Sequence, residues 1–351
     1  MSRFMNPRLA GLTAYTPGEQ PQDRAYIKLN TNESPYPPSK GVHKIMRGEV
    51  IDNLRLYCNP DCTALKKELT CIYGANPAQI FVSNGSDDIL NFAFLAFGAG
   101  GIIFPDISYG FYEVFANLHS LPFETAPLKE DFSIDTADYC GKGKMVVIAN
   151  PNAPTGLSLP LEEIEKILQS NPNSVVLIDE AYVDFGGESC VPLVQKYDNL
   201  LCVQTFSKSR SMAGARLGFA IGAEALIADL EKIKYSTNPY NVNAMTQAAG
   251  LAALQENDYY MANCRKIIKS RDYTKKQLEK LGFEVLPSQT NFLFAKTDKI
   301  SGMELYLQLK AKGVLVRHFE KPRISSYNRI TIGSQKQMQS FIAAVKEILG
   351  A

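Results

Sequence analysis

The 351-residue chain is poor in histidine: His43, His119 and His318 are all it has, and they lie far apart. A histidine-based triad or a His-rich metal site has little to build on. Cysteine is no better organised. The count of seven is odd, and only Cys58 and Cys62 are close neighbours, with no histidine pair beside them. That pattern reads as the reduced thiols of a cytoplasmic protein, and no metal is expected. The net charge is +1, without a long basic or acidic block. This argues against nucleic acid or an anionic membrane surface as the main partner. No apolar run reaches the roughly 18 residues of a membrane span. The run at 92–97 has the size of a core segment. Residues 1–7 lack the apolar stretch of a secretory signal, and repeats and low-complexity segments are missing too.

What the chain does have is alternation. Short apolar runs at 80–82, 101–104, 145–149, 175–178 and 200–205 read as strands. An apolar helix starts near Asp87, and residues 161–168 have helical spacing with acidic residues at the start. Continuously apolar strands separated by helices imply an α/β fold, with a mostly parallel sheet covered on both faces. In such sheets the functional residues gather at the carboxyl ends of the strands. After about residue 255 the texture changes. A long charged helix over 259–281 precedes strand-like runs at 283–286, 291–294 and 329–332. The expected organisation is an extended arm over 1–30, a large domain over 31–254 and a smaller α+β domain over 255–351.

The residues that follow the strands differ in kind. Ser83-Asn84-Gly85-Ser86-Asp87 comes after the first, and residues 150–156 come after the third. Asp179-Glu180-Ala181-Tyr182 and Phe206-Ser207-Lys208 come after the last two. Singly each has a plain reading: an N-cap turn, a loop, a helix cap, a solvated lysine. Together they form one chemical inventory. The Lys208 amine can form a Schiff base with an aldehyde. Asp179 can keep a pyridine nitrogen protonated and so make the ring an electron sink. Asn152 and Tyr182 can donate to a ring hydroxylate. Gly85, Ser86 and Asp87 at a helix start offer free N–H groups and a positive dipole end to a phosphate. Ser207 and Arg216 can add side-chain contacts to it, and Tyr109 can stack on the ring. The ligand that wants all of these groups is pyridoxal 5′-phosphate.

In this order, Gly85-Ser86-Asp87, Tyr109, Asn152 within Asn-Pro-Asn-Ala-Pro-Thr-Gly, Asp179 with Tyr182, Ser207-Lys208 and Arg216 resemble the fold-type I pyridoxal-phosphate aminotransferases. The likeness covers nearly the whole chain. It implies a large domain with a mostly parallel seven-stranded sheet flanked by helices, plus a smaller α+β C-terminal domain. It also makes Lys208 the Schiff-base residue and general base, with Asp179 and Tyr182 beside it in catalysis.

The stretches 12–21, 29–36, 56–60 and 313–317 are similar to the histidinol-phosphate aminotransferases of histidine biosynthesis. That branch passes the amine of L-histidinol phosphate to 2-oxoglutarate, giving imidazole acetol phosphate and L-glutamate. The likeness implies that Tyr57 reaches the cofactor phosphate of the other subunit, in a homodimer with shared active sites. It assigns the substrate's anionic end to Arg329, assisted by Arg317. Tyr15 closes over the substrate, and Asn32 joins these as a substrate-binding residue. Guanidinium forks accept a phosphate ester or a carboxylate, so one site can take both small-molecule substrates in turn.

Arg323, after Lys321-Pro322, reads as a solvated loop charge. Many relatives carry a second asparagine where Ala153 stands; the ring-hydroxyl contact is assigned here to Asn152, on its place in the run. Alternative readings share almost every cofactor residue: a lyase such as a threonine-phosphate decarboxylase, or an aminotransferase for aromatic or aspartate-like amino acids. A non-catalytic binding module on the same fold is opposed by the intact Lys208.

Overall fold

Seven strands form the main sheet: β1 (Ile80–Ser83), β2 (Ile102–Pro105), β3 (Phe123–Ala126), β4 (Met145–Ala149), β5 (Val176–Asp179), β6 (Leu200–Thr205) and β7 (Gly218–Gly222). The structure, a computed structural model, describes residues 3–9 and 11–351; residues 1, 2 and 10 of the expected arm lie outside it. The strand order is β1-β7-β6-β5-β4-β2-β3. Neighbours are parallel except at β7, which runs antiparallel to both β1 and β6.

The inner strands are buried on both faces because consecutive residues point to opposite sides and nearly all are apolar. Val146 and Ile148 enter one core cluster, while Val147 and Ala149 enter another. The helices Leu161–Ser170 and Ala244–Gln255 pack on the first side, and Ser86–Phe97 and Glu224–Thr237 on the second. The expected α/β sheet is therefore present, with two strands that hydropathy did not mark. Strand β3 is an edge strand with exposed Glu124 and Thr125. Strand β7 is bounded by glycines, and Gly218 is needed there: a Cβ would sit 2.5 Å from the backbone nitrogen of Ser86.

A second sheet is wholly antiparallel, in the order Arg317–His318, Asn328–Thr331, Phe292–Lys296, Glu284–Val285. Its own core joins Leu293 and Ile330 to Leu278 of the helix Asn257–Lys280 and Phe341 of the helix Gln335–Leu349. The end of the N-terminal arm belongs here as well. Ile27–Lys28 pairs in parallel with Val314–Leu315, and Leu29 is buried in the C-terminal core. Fastened this way, the arm leads into Thr31, Asn32 and Glu33, which meet the residues that follow β5 and β6: Asn32 bonds Tyr182, Thr31 receives Lys208, and Glu33 lines the cavity between them. Among the described residues no helix is long and apolar enough to cross a membrane. All seven cysteines are free.

Candidate active site

Strand β5 ends in a buried acid. The Asp179 carboxylate accepts hydrogen bonds from Tyr112 Oη at 2.8 Å and from the Ala181 N–H at 3.2 Å. Burial pushes this carboxyl up to about 6, although both hydrogen bonds pull it down. One strand further, Lys208 follows β6. Its Nζ donates to the Thr31 carbonyl at 3.2 Å and lies 5.8 Å from the centre of the Tyr182 ring. Asp179, Tyr182 and Lys208 line one cavity of about 150 Å³. The loop that bears Lys208 has no regular structure, and a buried arginine holds it. Arg210 donates to Asp184 at 3.3 Å, to Tyr73 Oη at 3.3 Å and to Asn257 Oδ1 at 3.1 Å.

The same cavity has an anion cup. The helix Ser86–Phe97 begins after Gly85, which provides no side-chain cap, so first-turn N–H groups are available. Gly85 has a φ of +90°, and a Cβ on it would lie 2.7 Å from Arg216 Nη2. Arg216 Nη2 donates to Asp87 Oδ2 at 2.9 Å, and its Nη1 donates to Ser207 Oγ at 3.4 Å. Tyr109 Oη donates to Asp87 Oδ1 at 2.8 Å, which sets the Tyr109 ring at the cavity wall. Gly85, Ser86, Asp87, Tyr109, Ser207 and Arg216 thus converge as the sequence suggested.

A second cavity, about 280 Å³, adjoins the first and shares Lys208, Tyr109 and Tyr182 with it. Arg317 and Arg329 face each other directly across neighbouring antiparallel strands and both line it. Like charges in that register repel. None of the ion pairs among the described residues includes either one. Arg329 Nη2 donates to the Asn30 carbonyl at 3.0 Å, while its buried Nε has no partner. Burial lowers the pKa of this guanidinium. Arg317 donates to the carbonyls of Thr16 and Pro17 at 3.2 and 3.3 Å, and so ties down the arm. Tyr15, on that arm, stacks on Phe111 at 4.2 Å and closes one side of the cavity. Asn32 donates to Tyr182 Oη at 2.9 Å and accepts from Thr331 Oγ1 at 2.9 Å, linking arm, C-terminal sheet and site.

Two sequence expectations need correction, those for Asn152 and Arg323. Asn152 does not face the Lys208 cavity. Its amide donates to the Ile107 carbonyl at 3.0 Å and to Thr155 Oγ1 at 2.9 Å, and its oxygen accepts from Ser108 Oγ at 2.9 Å. Ala153 lines the cavity in its place, so this loop presents a methyl group there. Asn152 instead borders a larger cleft of about 700 Å³ behind the loop, which contains neither Lys208 nor Asp179. Tyr57, expected to reach the other subunit, lies outside both cavities of its own chain, 84% exposed and stacked on Tyr240 at 4.5 Å. Arg323 is not a free loop charge. It donates to Asp106 Oδ2 at 3.1 Å and to the carbonyls of Leu128 and Lys129 at 2.9 Å each.

Sequence reasoning also missed Tyr112 and Arg210, which act through Asp179 and the lysine loop. Both look like ordinary helix or loop residues until the chain folds. Next to Asp179, Glu180, Cys190 and Cys202 place possible ligand atoms within 4.8 Å of one another. The Glu180 carboxylate there accepts from Ser189 Oγ at 2.7 Å, Cys190 N–H at 2.6 Å and Gln204 Nε2 at 2.8 Å. These contacts give the buried acid hydrogen-bond partners within the protein.

Comparison with known proteins agrees with this geometry. Residues 24–345 match the aminotransferase class I and II family. The chain is similar to a curated histidinol-phosphate aminotransferase of Brachyspira hyodysenteriae, 49% identical over 352 residues, covering 99% of each chain. It is similar in structure to a histidinol-phosphate aminotransferase of Clostridium acetobutylicum, with a TM-score of 0.86 and 26% identity over 92% of this chain and 99% of that one. The fold also matches a histidinol-phosphate aminotransferase of Sinorhizobium meliloti solved with pyridoxal-5′-phosphate, with a TM-score of 0.88, 22% identity and coverage of 100% and 98%.

The raised Asp179 pKa makes a stability prediction. The folded state holds this proton more tightly than the unfolded chain does. Burial is therefore free of penalty below about pH 4 and opposes folding fully above about pH 6, by up to roughly 3 kcal/mol. Asp179→Asn should stabilise the cofactor-free protein at pH 8, and the gain should vanish by pH 4. Urea unfolding across that range measures it; a variant that is less stable at every pH contradicts it.

Proposed function

The chain belongs to the class I and II aminotransferases, and from that premise we propose that it carries the amino group of L-histidinol phosphate to 2-oxoglutarate, using pyridoxal 5′-phosphate. One observation carries the substrate reading: two facing arginines without a carboxylate partner open beside Lys208. Such a pair binds an anionic tail, and the near-full-length identity to a named histidinol-phosphate aminotransferase selects which tail.

The residues fit the cofactor. Glycines at 85 and 218 let the Arg216 guanidinium and strand β7 pack closely against the uncapped helix start, with Ser207 at its edge. Those groups would hold the phosphate. Asp179 would hold the ring nitrogen, Tyr182 the ring oxygen and Tyr109 a ring face. With Ala153 in the wall, Tyr182 stands without help from an asparagine amide at that oxygen.

When bound, the cofactor supplies an aldehyde that captures an amine and a ring that stores the electron pair of a broken Cα–H bond. Lys208 Nζ moves the Cα proton, acting as base and then as acid. The amine must be neutral to take that proton. These two arginines orient the substrate by its distal anion, which places Cα against Lys208. Asn32 fixes Tyr182 by its hydroxyl, and Tyr15 on Phe111 keeps water from one side. The arm over 1–30 and domains over 31–254 and 255–351 are the working division, supported by two main cores, although Leu29 and Phe185 join the C-terminal one, Tyr260 joins the other, and Ile107 and Phe132 share a third cluster with Phe294 and Ile324.

The assembly we propose is a cytoplasmic homodimer. Ile51, Leu54, Leu56 and Tyr57 form an exposed apolar run, 43 to 84% exposed, with Tyr240 against it. Such a patch marks a protein interface, and Tyr57 on it would reach the partner's site. Leu56→Glu should move the sedimenting species from dimer toward monomer. An unmodified protein that sediments as a monomer defeats the proposal.

A single turnover tests the substrate. With the cofactor loaded and L-histidinol phosphate added alone, the visible band of lysine-bound cofactor should give way to that of its amine form. 2-Oxoglutarate should restore it. A band that persists contradicts the substrate assignment, and carbon dioxide released from threonine phosphate would favour the lyase.

A further inference from the structure

The lining of the substrate cavity contains four cations and no acid: Lys208, Arg317, Lys321 and Arg329. Three have a place in the reading above. Lys321 has none. It lies at the rim, exposed, and among the described residues its side chain's only hydrogen bond is to the Asp106 carbonyl at 3.3 Å. No ion pair among the described residues includes it.

Its position is nevertheless built. The 3-10 turn Pro322–Ile324 follows at once, with Ile324 2% exposed in a core cluster. Arg323 clamps this turn to the main-sheet body through Asp106, Leu128 and Lys129, with its guanidinium 5.6 Å from the Phe132 ring centre. A short strap therefore spans from the C-terminal sheet to the opposite wall. Lys321 is carried at its start, where a long flexible stem can swing the ammonium over the cavity.

The two substrates differ at the end that these cations meet. A phosphate monoester carries close to two negative charges at pH 7, with a second pKa near 6. The side-chain carboxylate of glutamate carries one. Arg317 and Arg329 serve both. Resting on the substrate reading above, we propose that Lys321 is a specificity-determining residue that pairs with the second charge of the phosphate ester. Arg323 is its positioning residue. The arrangement lets a single cavity favour the amino phosphate without excluding the dicarboxylate, because a mobile rim ammonium can withdraw to Asp106 when only one charge is present.

The test uses the loaded enzyme and measures the two half-reactions separately between pH 5.5 and 8. In Lys321→Met the KM for L-histidinol phosphate should rise about five- to twentyfold, the range for one partly exposed charge contact. The kcat should change less than twofold. The loss of affinity that accompanies phosphate protonation below pH 6 should flatten. The half-reaction with glutamate should stay within twofold, which also reports that the variant is folded. Lys321→Arg should restore most of the affinity, and Arg323→Gln should raise the same KM in part. Equal effects on both half-reactions, or an unchanged KM for the phosphate donor, overturn the proposal alone. An unmodified enzyme that does not turn over L-histidinol phosphate overturns it together with the substrate reading.

Discussion

A carboxyl group forced into the interior at the end of strand β5 is the constraint on which the rest depends. Asp179 is expensive to ionise where it lies, and its pKa of about 6 is the mark of that expense. The protein supplies two hydrogen bonds, from Tyr112 and Ala181, and no ion pair among the described residues includes Asp179. A protonated pyridine nitrogen is a fitting partner, and a ring held there brings its substituents to Lys208 on one side and to the helix start of Ser86–Phe97 on the other. The parallel sheet makes this economical. Strands β4, β5 and β6 end side by side, so three different chemistries meet within one cavity.

The second cavity follows the opposite electrostatic logic. Its walls gather positive charge without acids, so an anionic substrate completes a set that the protein leaves unbalanced. That charge is drawn mainly from the C-terminal sheet, whereas the cofactor groups come mainly from the main sheet. The arm ties the two together: Asn30 holds Arg329, Thr31 receives Lys208, and Asn32 holds Tyr182. The C-terminal sheet is thereby linked to the lysine and to the tyrosine through three consecutive residues at the end of the arm and the start of the large domain.

Much of this was legible in the sequence, for a physical reason. A residue that ends an apolar strand has to be polar only if something there requires it, so Asp179 and Lys208 stood out from their surroundings. Arg317 and Arg329 were readable by resemblance, but their facing register was not, because it depends on a pairing between strands. Asn152 misled because position along a loop does not fix where a side chain points; its amide went to Ile107 and Thr155 and left Ala153 in the wall. Arg323 was misread because its partner, Asp106, is 217 residues away in sequence. Tyr112 and Arg210 carry no local pattern at all, since their roles exist only once helix, loop and strand are packed.

The central claim is that Lys208, and no other lysine, meets the cofactor's aldehyde. The direct measurement is to load the protein with pyridoxal 5′-phosphate, reduce it with borohydride, digest it and locate the stable adduct by mass spectrometry. The account predicts one phosphopyridoxyl group per chain, on the peptide that contains Lys208. An adduct chiefly on another lysine, or none above the level of a heat-denatured control, would contradict it.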